Sequence, residues 1–310
     1  MTITRSIADL FDSAGRIPVA AGAHAHASNL RPMPETQLPL EDTFGDIVKK
    51  ALRGTGVSNA QLAGATGIPA VTIAQWLNDE GAANDDQARA VARVLHLDGG
   101  KLADSAAARW HPPLIDLADV RRHPQEPHPS NGYVFFLEGG RRAALVDPAG
   151  VPQNLLALLR DGDYHLQYIL ITHKHPDHCD ATADVAQAYP QAQIVMHALD
   201  VHAIGSLAKG ALLVRDGEAL PFGDEAAIRM LHTPGHTDGS VAYLFEGTLF
   251  SGDTLFAASV GGAYGDKSTY ADILNSVRSK LFTLPDDTVV MPGHGPPSRI
   301  GLEKHHNPFF

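Results

Sequence analysis

The chain has 310 residues, 44% hydrophobic and 19% charged, with a formal net charge of −11. That length exceeds what one compact domain usually needs, so about two domains are expected, and the acidic balance argues against binding nucleic acid or anionic membranes through bulk charge. A single cysteine excludes an internal disulfide, no apolar run approaches a membrane span, and Asp9 and Asp12 interrupt any signal-peptide order, so a cytoplasmic protein is expected.

Residues 1–40 read as an arm, because Gly15 to Pro39 is rich in Ala, Pro and Gly without a sustained period. His24 and His26 form an H-x-H pair there, but with no third ligand in view they read as solvated loop residues. Residues 41–110 read as a small helical domain. Phe44, Ile47, Val48, Ala51 and Leu52 fall at helical spacing and make one apolar face. Ser58 with Gln61 is a capping-box pattern, and Pro69 can open the helix that carries Val71, Ile73, Trp76 and Leu77. Asn84 with Gln87 caps a further helix holding Ala88, Val91, Ala92, Val94 and Leu95.

The run QLAGATGIPAVTIAQWL, Gln61 to Leu77, resembles the Cro/repressor-like helix-turn-helix. Ala63, Gly67 and Ile73 fall where that family has its small residue, its turn glycine and its buried aliphatic. A reading helix needs side chains for phosphates and base edges. Between Pro69 and Leu77 only Thr72 and Gln75 qualify, and from Glu41 to Trp110 nine acidic residues outnumber seven basic ones. DNA is therefore not an expected partner. A helix exposing Ala70, Ala74 and Trp76 suits packing on protein instead, against the rest of the chain or a second subunit, and a homodimer is expected.

His111-Pro112-Pro113 marks the linker into the segment 111–310. Short apolar runs follow at Tyr133–Leu137, Ala143–Val146, Tyr168–Thr172, Ile194–Met196, Ile228–Leu231, Val241–Phe245, Thr248–Phe250 and Thr288–Met291. Helical stretches intervene at Gln153–Arg160, Thr182–Tyr189 and Tyr270–Phe282, which predicts a layered α/β domain.

After the run ending at Ile171 comes THKHPDH, which packs His173, His175, Asp177 and His178 into one turn at a strand end. Three imidazoles and a carboxylate this close are costly unless a cation holds them. Further donors arrive from other Gly-rich loops: His236 in HTPGHTDGS, Asp253 in SGDTLF and His294 in PGHGP.

Over roughly residues 115–310 this ordered set resembles the metallo-β-lactamase superfamily. The resemblance implies an αββα sandwich with the site at one edge of its two sheets. It implies that His173, His175 and His236 bind a first metal, that Asp177, His178 and His294 bind a second, and that Asp253 bridges. Asp147 would support the metal loop without ligating. The implied cofactor is two divalent ions, zinc foremost, though imidazole and carboxylate also accept iron or manganese. The implied chemistry is attack by a metal-bridging hydroxide on an electrophilic carbonyl, with Asp177 orienting that hydroxide. Cys179 has only committed ligands as basic neighbours and reads as packing, and Ala181 stands where the family often has glycine.

SGDTLFAASVGG, LPDDTVVMPGHGPPS and the ending Glu303-Lys304 with Asn307-Pro308-Phe309 resemble the glyoxalase II-like hydrolases. Hydrolysis of a thioester, ester or related bond in a small-molecule substrate is implied. Gly261 to Gly265 stands where that branch often has Gly-Arg-Thr-Asp, and the helical region that binds glutathione in true glyoxalase II would fall beyond Phe310, so the carrier is left open. Two alternatives are weighed. A mononuclear iron persulfide dioxygenase would use His173, His236 and Asp253. A transcription regulator with a metal-sensing domain would need a basic recognition helix. Tyr264, Lys267 and Tyr270, in the loop after Asp253, are candidates for lining the substrate pocket.

Overall fold

The computed structural model describes residues 37–125, 129–137, 141–224, 226–265 and 267–310. The first 36 residues, with His24 and His26, lie outside the described residues.

Five helices come first: α1 (Phe44–Thr55), α2 (Asn59–Thr66), α3 (Ala70–Trp76), α4 (Asp85–Leu95) and α5 (Gly99–Ala106). Reciprocal capping boxes start three of them, Thr43 with Asp46, Ser58 with Gln61 and Asn84 with Gln87. Sequence reading missed α5, because Gly99 and Gly100 open it and look like a breaker. Asp98 compensates, its carboxylate accepting the N–H groups of Gly100 and Lys101 at 2.9 Å each.

Trp76 departs from expectation. It is buried, with its ring edge-on to Phe44 at 5.6 Å. The large indole fills the space between α1 and α3, so the exposed face of α3 carries Ala70, Ala74 and the 66%-exposed Val71 instead.

The remainder is a four-layer α/β sandwich. One sheet has strands in the order β1 (Val120–Gln125), β2 (Ser130–Phe136), β3 (Arg142–Val146), β4 (His165–Leu170), β5 (Gln193–His197) and β6 (Leu212–Val214). The other runs β14 (Ser298–Arg299), β13 (Val289–Pro292), β10 (Thr248–Gly252), β9 (Val241–Phe245), β8 (Ala226–His232) and β7 (Ala219–Phe222). A small hairpin, β11 (Leu255–Phe256) with β12 (Ser259–Val260), follows β10.

Alternation along the strands explains the layers. In β2, Tyr133 and Phe135 face the second sheet and pack with Phe222, Tyr243, Phe245 and Phe250. Val134, between them, faces outward to Leu155 and Leu159 of α6 (Pro152–Asp161) and Val185 of α8 (Thr182–Ala188). On the second sheet, Leu231, Ala242, Leu249 and Val290 face outward onto Ile273 and Val277 of α9 (Tyr270–Ser279).

That outer layer does not end at α9. The same continuous apolar cluster takes in Ile47 and Val48 of α1, Val91 of α4, Leu102 of α5, and Phe309 after the last helix, α10 (Ile300–His306). The five N-terminal helices therefore share their core with the sandwich. Among the described residues no helix is long and apolar enough to cross a membrane.

Candidate metal centre

The strand ends meet along one edge of the sandwich. β4 leads into Thr172 and His173, and a one-turn helix, α7 (Pro176–Cys179), carries Asp177 and His178. β8 leads to His236, β10 to Asp253, and β13 to His294. Three ligand groups result: His173 with His175 and His236, His173 with His178 and Asp253, and Asp177 with His178 and His294. Within each group the ligand atoms lie within 4.8 Å of one another.

His175 Nδ1 stands 3.0 Å from His173 Nε2 and 2.8 Å from His236 Nε2. Ligand atoms around a tetrahedral zinc with bonds of about 2.1 Å sit about 3.4 Å apart, so these nitrogens converge as ligands of one small cation do. Asp253 faces both sets. Its Oδ2 is 3.4 Å from His236 Nε2 and 3.5 Å from His294 Nε2, while its Oδ1 is 3.4 Å from His178 Nε2. Asp177 Oδ2 lies 3.6 Å from His178 Nε2 and 3.4 Å from His294 Nε2.

Two of these atoms test whether a cation fits. His178 Nε2 and Asp253 Oδ1 are buried and have no hydrogen-bond partner, a costly state for polar atoms that face each other. A divalent cation satisfies both at once. The donor set of imidazole and carboxylate suits zinc, iron or manganese.

Neighbouring groups fix which nitrogen each ring presents. Asp147 accepts the backbone N–H of Thr172 at 2.7 Å and its hydroxyl at 2.8 Å, and its Oδ2 lies 2.9 Å from His178 Nδ1. A proton on Nδ1 leaves Nε2 pointing into the centre. His236 is held likewise, with Nδ1 2.7 Å from the Gly262 carbonyl. The His294 loop is pinned by Asn131, whose Nδ2 donates to the Pro292 and Gly295 carbonyls. Gly293 permits the approach, because a Cβ there would stand 2.2 Å from Asp253 Oδ1 and 2.8 Å from His178 Cε1.

The imidazoles are not alike electrostatically. Burial pushes His173 well below its ordinary pKa, with the surrounding imidazoles adding to it, and brings His236 down to about 4. Burial also opposes a charge on His178, but Asp253, Asp147 and Asp177 together outweigh it and raise its pKa to about 9. Asp177, despite burial, is held far below the usual carboxylate range by His294 and His178.

One contributor escaped the sequence reading. Asp200 is fully buried and accepts from Lys174 N–H at 3.1 Å, the Thr237 hydroxyl at 2.5 Å and Gly239 N–H at 3.2 Å. It ties the loop of His173 and His175 to the loop of His236. Its only sequence signal was its place four residues after Met196, where a strand ends.

The three pocket candidates separate. Tyr264 is at the centre's mouth, its ring 5.5 Å from His236 and 6.1 Å from His175. Lys267 is exposed, and its backbone N–H donates to Asp238. Tyr270 begins α9 and sits 6.2 Å from Phe309, where burial pushes its phenol to about 12. Cys179 donates toward the His175 carbonyl at 3.3 Å, and burial, with Asp147 and Asp180, pushes its thiol up to about 12. A thiol so raised is no nucleophile near neutral pH.

Comparison with known proteins agrees with this geometry. Residues 128–294 match the Metallo-beta-lactamase superfamily. Hydroxyacylglutathione hydrolase GloC of Haemophilus influenzae is 29% identical over 186 residues, 54% of this chain and 87% of that protein. The hydroxyacylglutathione hydrolase of Tolumonas auensis is 31% identical, and the match spans 54% of this chain and 63% of that protein. Among solved structures, BLEG-1 B3 metallo-beta-lactamase is similar at 30% identity and a TM-score of 0.54, covering 61% of this chain and 98% of its own. ETHE1 from Myxococcus xanthus gives 29% and 0.54 over 61% and 83%. TTHA1623 in a di-iron-bound form gives 30% and 0.51 over 65% and 100%. With its fold, its His/Asp clusters and this match over more than half its length, the chain belongs to the metallo-β-lactamase superfamily.

Proposed function

We propose that this protein is a dinuclear metal-dependent hydrolase acting on a thioester or related ester. One observation carries the reading: Asp253 reaches imidazoles of both sets, its Oδ2 standing 3.4 Å from His236 and 3.5 Å from His294 and its Oδ1 3.4 Å from His178. A carboxylate so placed offsets repulsion between two cations. In this reading His173, His175 and His236 hold the first ion, Asp177, His178 and His294 the second, and Asp253 both. The chemistry such a pair supplies is Lewis acidity, which acidifies water and polarises a carbonyl. Zinc, iron and manganese all suit the donors, and the di-iron form of TTHA1623 supports iron as an occupant of this fold.

The chain's own groups do the positioning. Asp147 holds His178 in the tautomer that leaves Nε2 inward, and the Gly262 carbonyl does the same for His236. Asp177, kept ionised beside His294, can accept a hydrogen bond from attacking water and orient it. Burial of His173, His236 and Asp253 keeps bulk water from the reacting carbonyl. The relatives named hydroxyacylglutathione hydrolase support a thioester as substrate.

A persulfide dioxygenase using only His173, His236 and Asp253 leaves Asp177, His178 and His294 without a task, although all three converge. Elemental analysis of purified protein, joined to a hydrolysis screen over thioesters, lactones and aryl esters, tests the proposal. Two ions per chain with thioester turnover is the expected result; a single iron with no hydrolysis overturns it.

A further inference from the structure

The N-terminal helices build one wall of the catalytic centre. Glu41 Oε1, just before α1, is 3.8 Å from His294 Nδ1. Nearly two turns into α1, Lys50 pairs with Asp42, donates to the Val260 carbonyl at 2.8 Å and lies over the Phe256 ring. Phe256 in turn packs edge-on to His294 at 5.7 Å. Arg53 comes one turn later, its guanidinium 5.5 Å from the centroid of Tyr264, the ring that faces His236 and His175. Gly54 makes this register possible, since a Cβ there would stand 2.1 Å from the Tyr270 ring.

The two cations of α1 differ in how they are used. Lys50 is mostly buried and committed to Asp42 and a carbonyl. Arg53 is exposed, and among the described residues no carboxylate pairs with it. A cation in a helix's last turn is favoured by the helix dipole. That accounts for a positive charge there, but not for its seat on the aromatic ring at the mouth of the metal centre.

We propose that Arg53 is a specificity residue that binds a carboxylate on the carrier portion of the substrate, the inference resting on the hydrolase reading above. The acyl carbonyl must reach His173, His236 and Asp253, which are buried, whereas Tyr264 is 53% exposed. The longer thiol carrier therefore leaves past Tyr264, where a guanidinium can take a carboxylate with two parallel hydrogen bonds. Arg53 is no farther from the His236 ring than the two ring separations together, which sets the reach: a carboxylate several bonds from the scissile carbonyl. The cation–π contact with Tyr264 holds the guanidinium in place before substrate arrives.

The test compares wild-type, Arg53→Ala and Arg53→Lys proteins, metal-loaded, on S-lactoylglutathione and on its diethyl ester, which lacks the carboxylate charges. Arg53→Ala should lower kcat/KM for the charged thioester about tenfold, as expected for one charge-assisted hydrogen-bonded contact, mainly through KM. The diethyl ester should change less than about twofold, and Arg53→Lys should recover part of the loss. Equal losses on both substrates, or none on either, would overturn the proposal. Binding of the unreactive thioether S-methylglutathione, measured by calorimetry, needs no turnover and separates the two claims. If no thioester is hydrolysed the hydrolase reading fails, and the binding arm still decides this one. Weaker binding by Arg53→Ala supports it, and equal affinity of wild type and variant overturns it.

Discussion

The two halves of the metal centre are electrostatic opposites. Burial lowers the pKa of both His173 and His236, and His175 and His178 add to the lowering in each. His178 and His294 face Asp177 and Asp253, and for both the carboxylates outweigh burial and raise the pKa. The first half thus offers imidazole alone and depends on Asp253 for charge. The second carries its own carboxylate in Asp177. Divalent ions gain most from anionic ligands, so the shared Asp253 should matter to both halves and Asp177 to only one.

That difference orders the expected effects. Asp253→Ala should be the most severe: metal content falls and hydrolysis is abolished, as elemental analysis and a thioester assay would read. A variant that keeps two ions and near-normal rate removes the bridging role. Asp177→Asn should be narrower. It weakens only the second ion and the orientation of the attacking water, with kcat falling roughly 10²-fold or more while the first ion stays bound. Loss of both ions together in that variant would erase the distinction between the halves.

Glu303 sharpens the comparison, because it is a buried carboxyl without a cluster of imidazoles. Burial raises its pKa to about 7, although Ser298, Asn307 and the Ala258 N–H all donate to it. A carboxyl raised in the folded state contributes stability below its unfolded pKa and loses it as pH rises through 7. Glu303→Gln should therefore gain melting temperature relative to wild type between pH 5 and 8, with a swing of roughly 3 kcal/mol. A pH-independent difference would mean the carboxyl ionises as freely folded as unfolded. The smallest effect is expected at Cys179. The rate should rise with pH through an ionisation near neutrality, and Cys179→Ala should leave that profile in place. Loss of activity in that variant, with metals bound, would point to thiol chemistry.

The same contrast runs through what the sequence made legible. The metal loops were readable because each ligand sits at a strand end in a short motif, where local order fixes the chemistry: His173 to His178 in one turn, then His236, Asp253 and His294 in Gly-rich loops. Short apolar runs found the inner strands such as β9, which is buried on both faces. The short edge strands β6, β7 and β14 were missed, as two to four residues carry too little period. The capping boxes found α2 and α4, whereas the glycine-opened α5 was invisible. Trp76 was placed outward because helical spacing does not say which neighbour a large ring will fill. Asp200 and Arg53 depended on contacts far apart in sequence, with Thr237 and Tyr264, and no local pattern announces such partners.

The central claim is that two divalent ions sit on either side of Asp253. The most direct measurement is the number of metal ions per chain in the purified protein, taken together for wild type and Asp177→Asn. Two ions in the wild type and one in the variant is the predicted result. A single ion in both, with the rate unchanged, would contradict it.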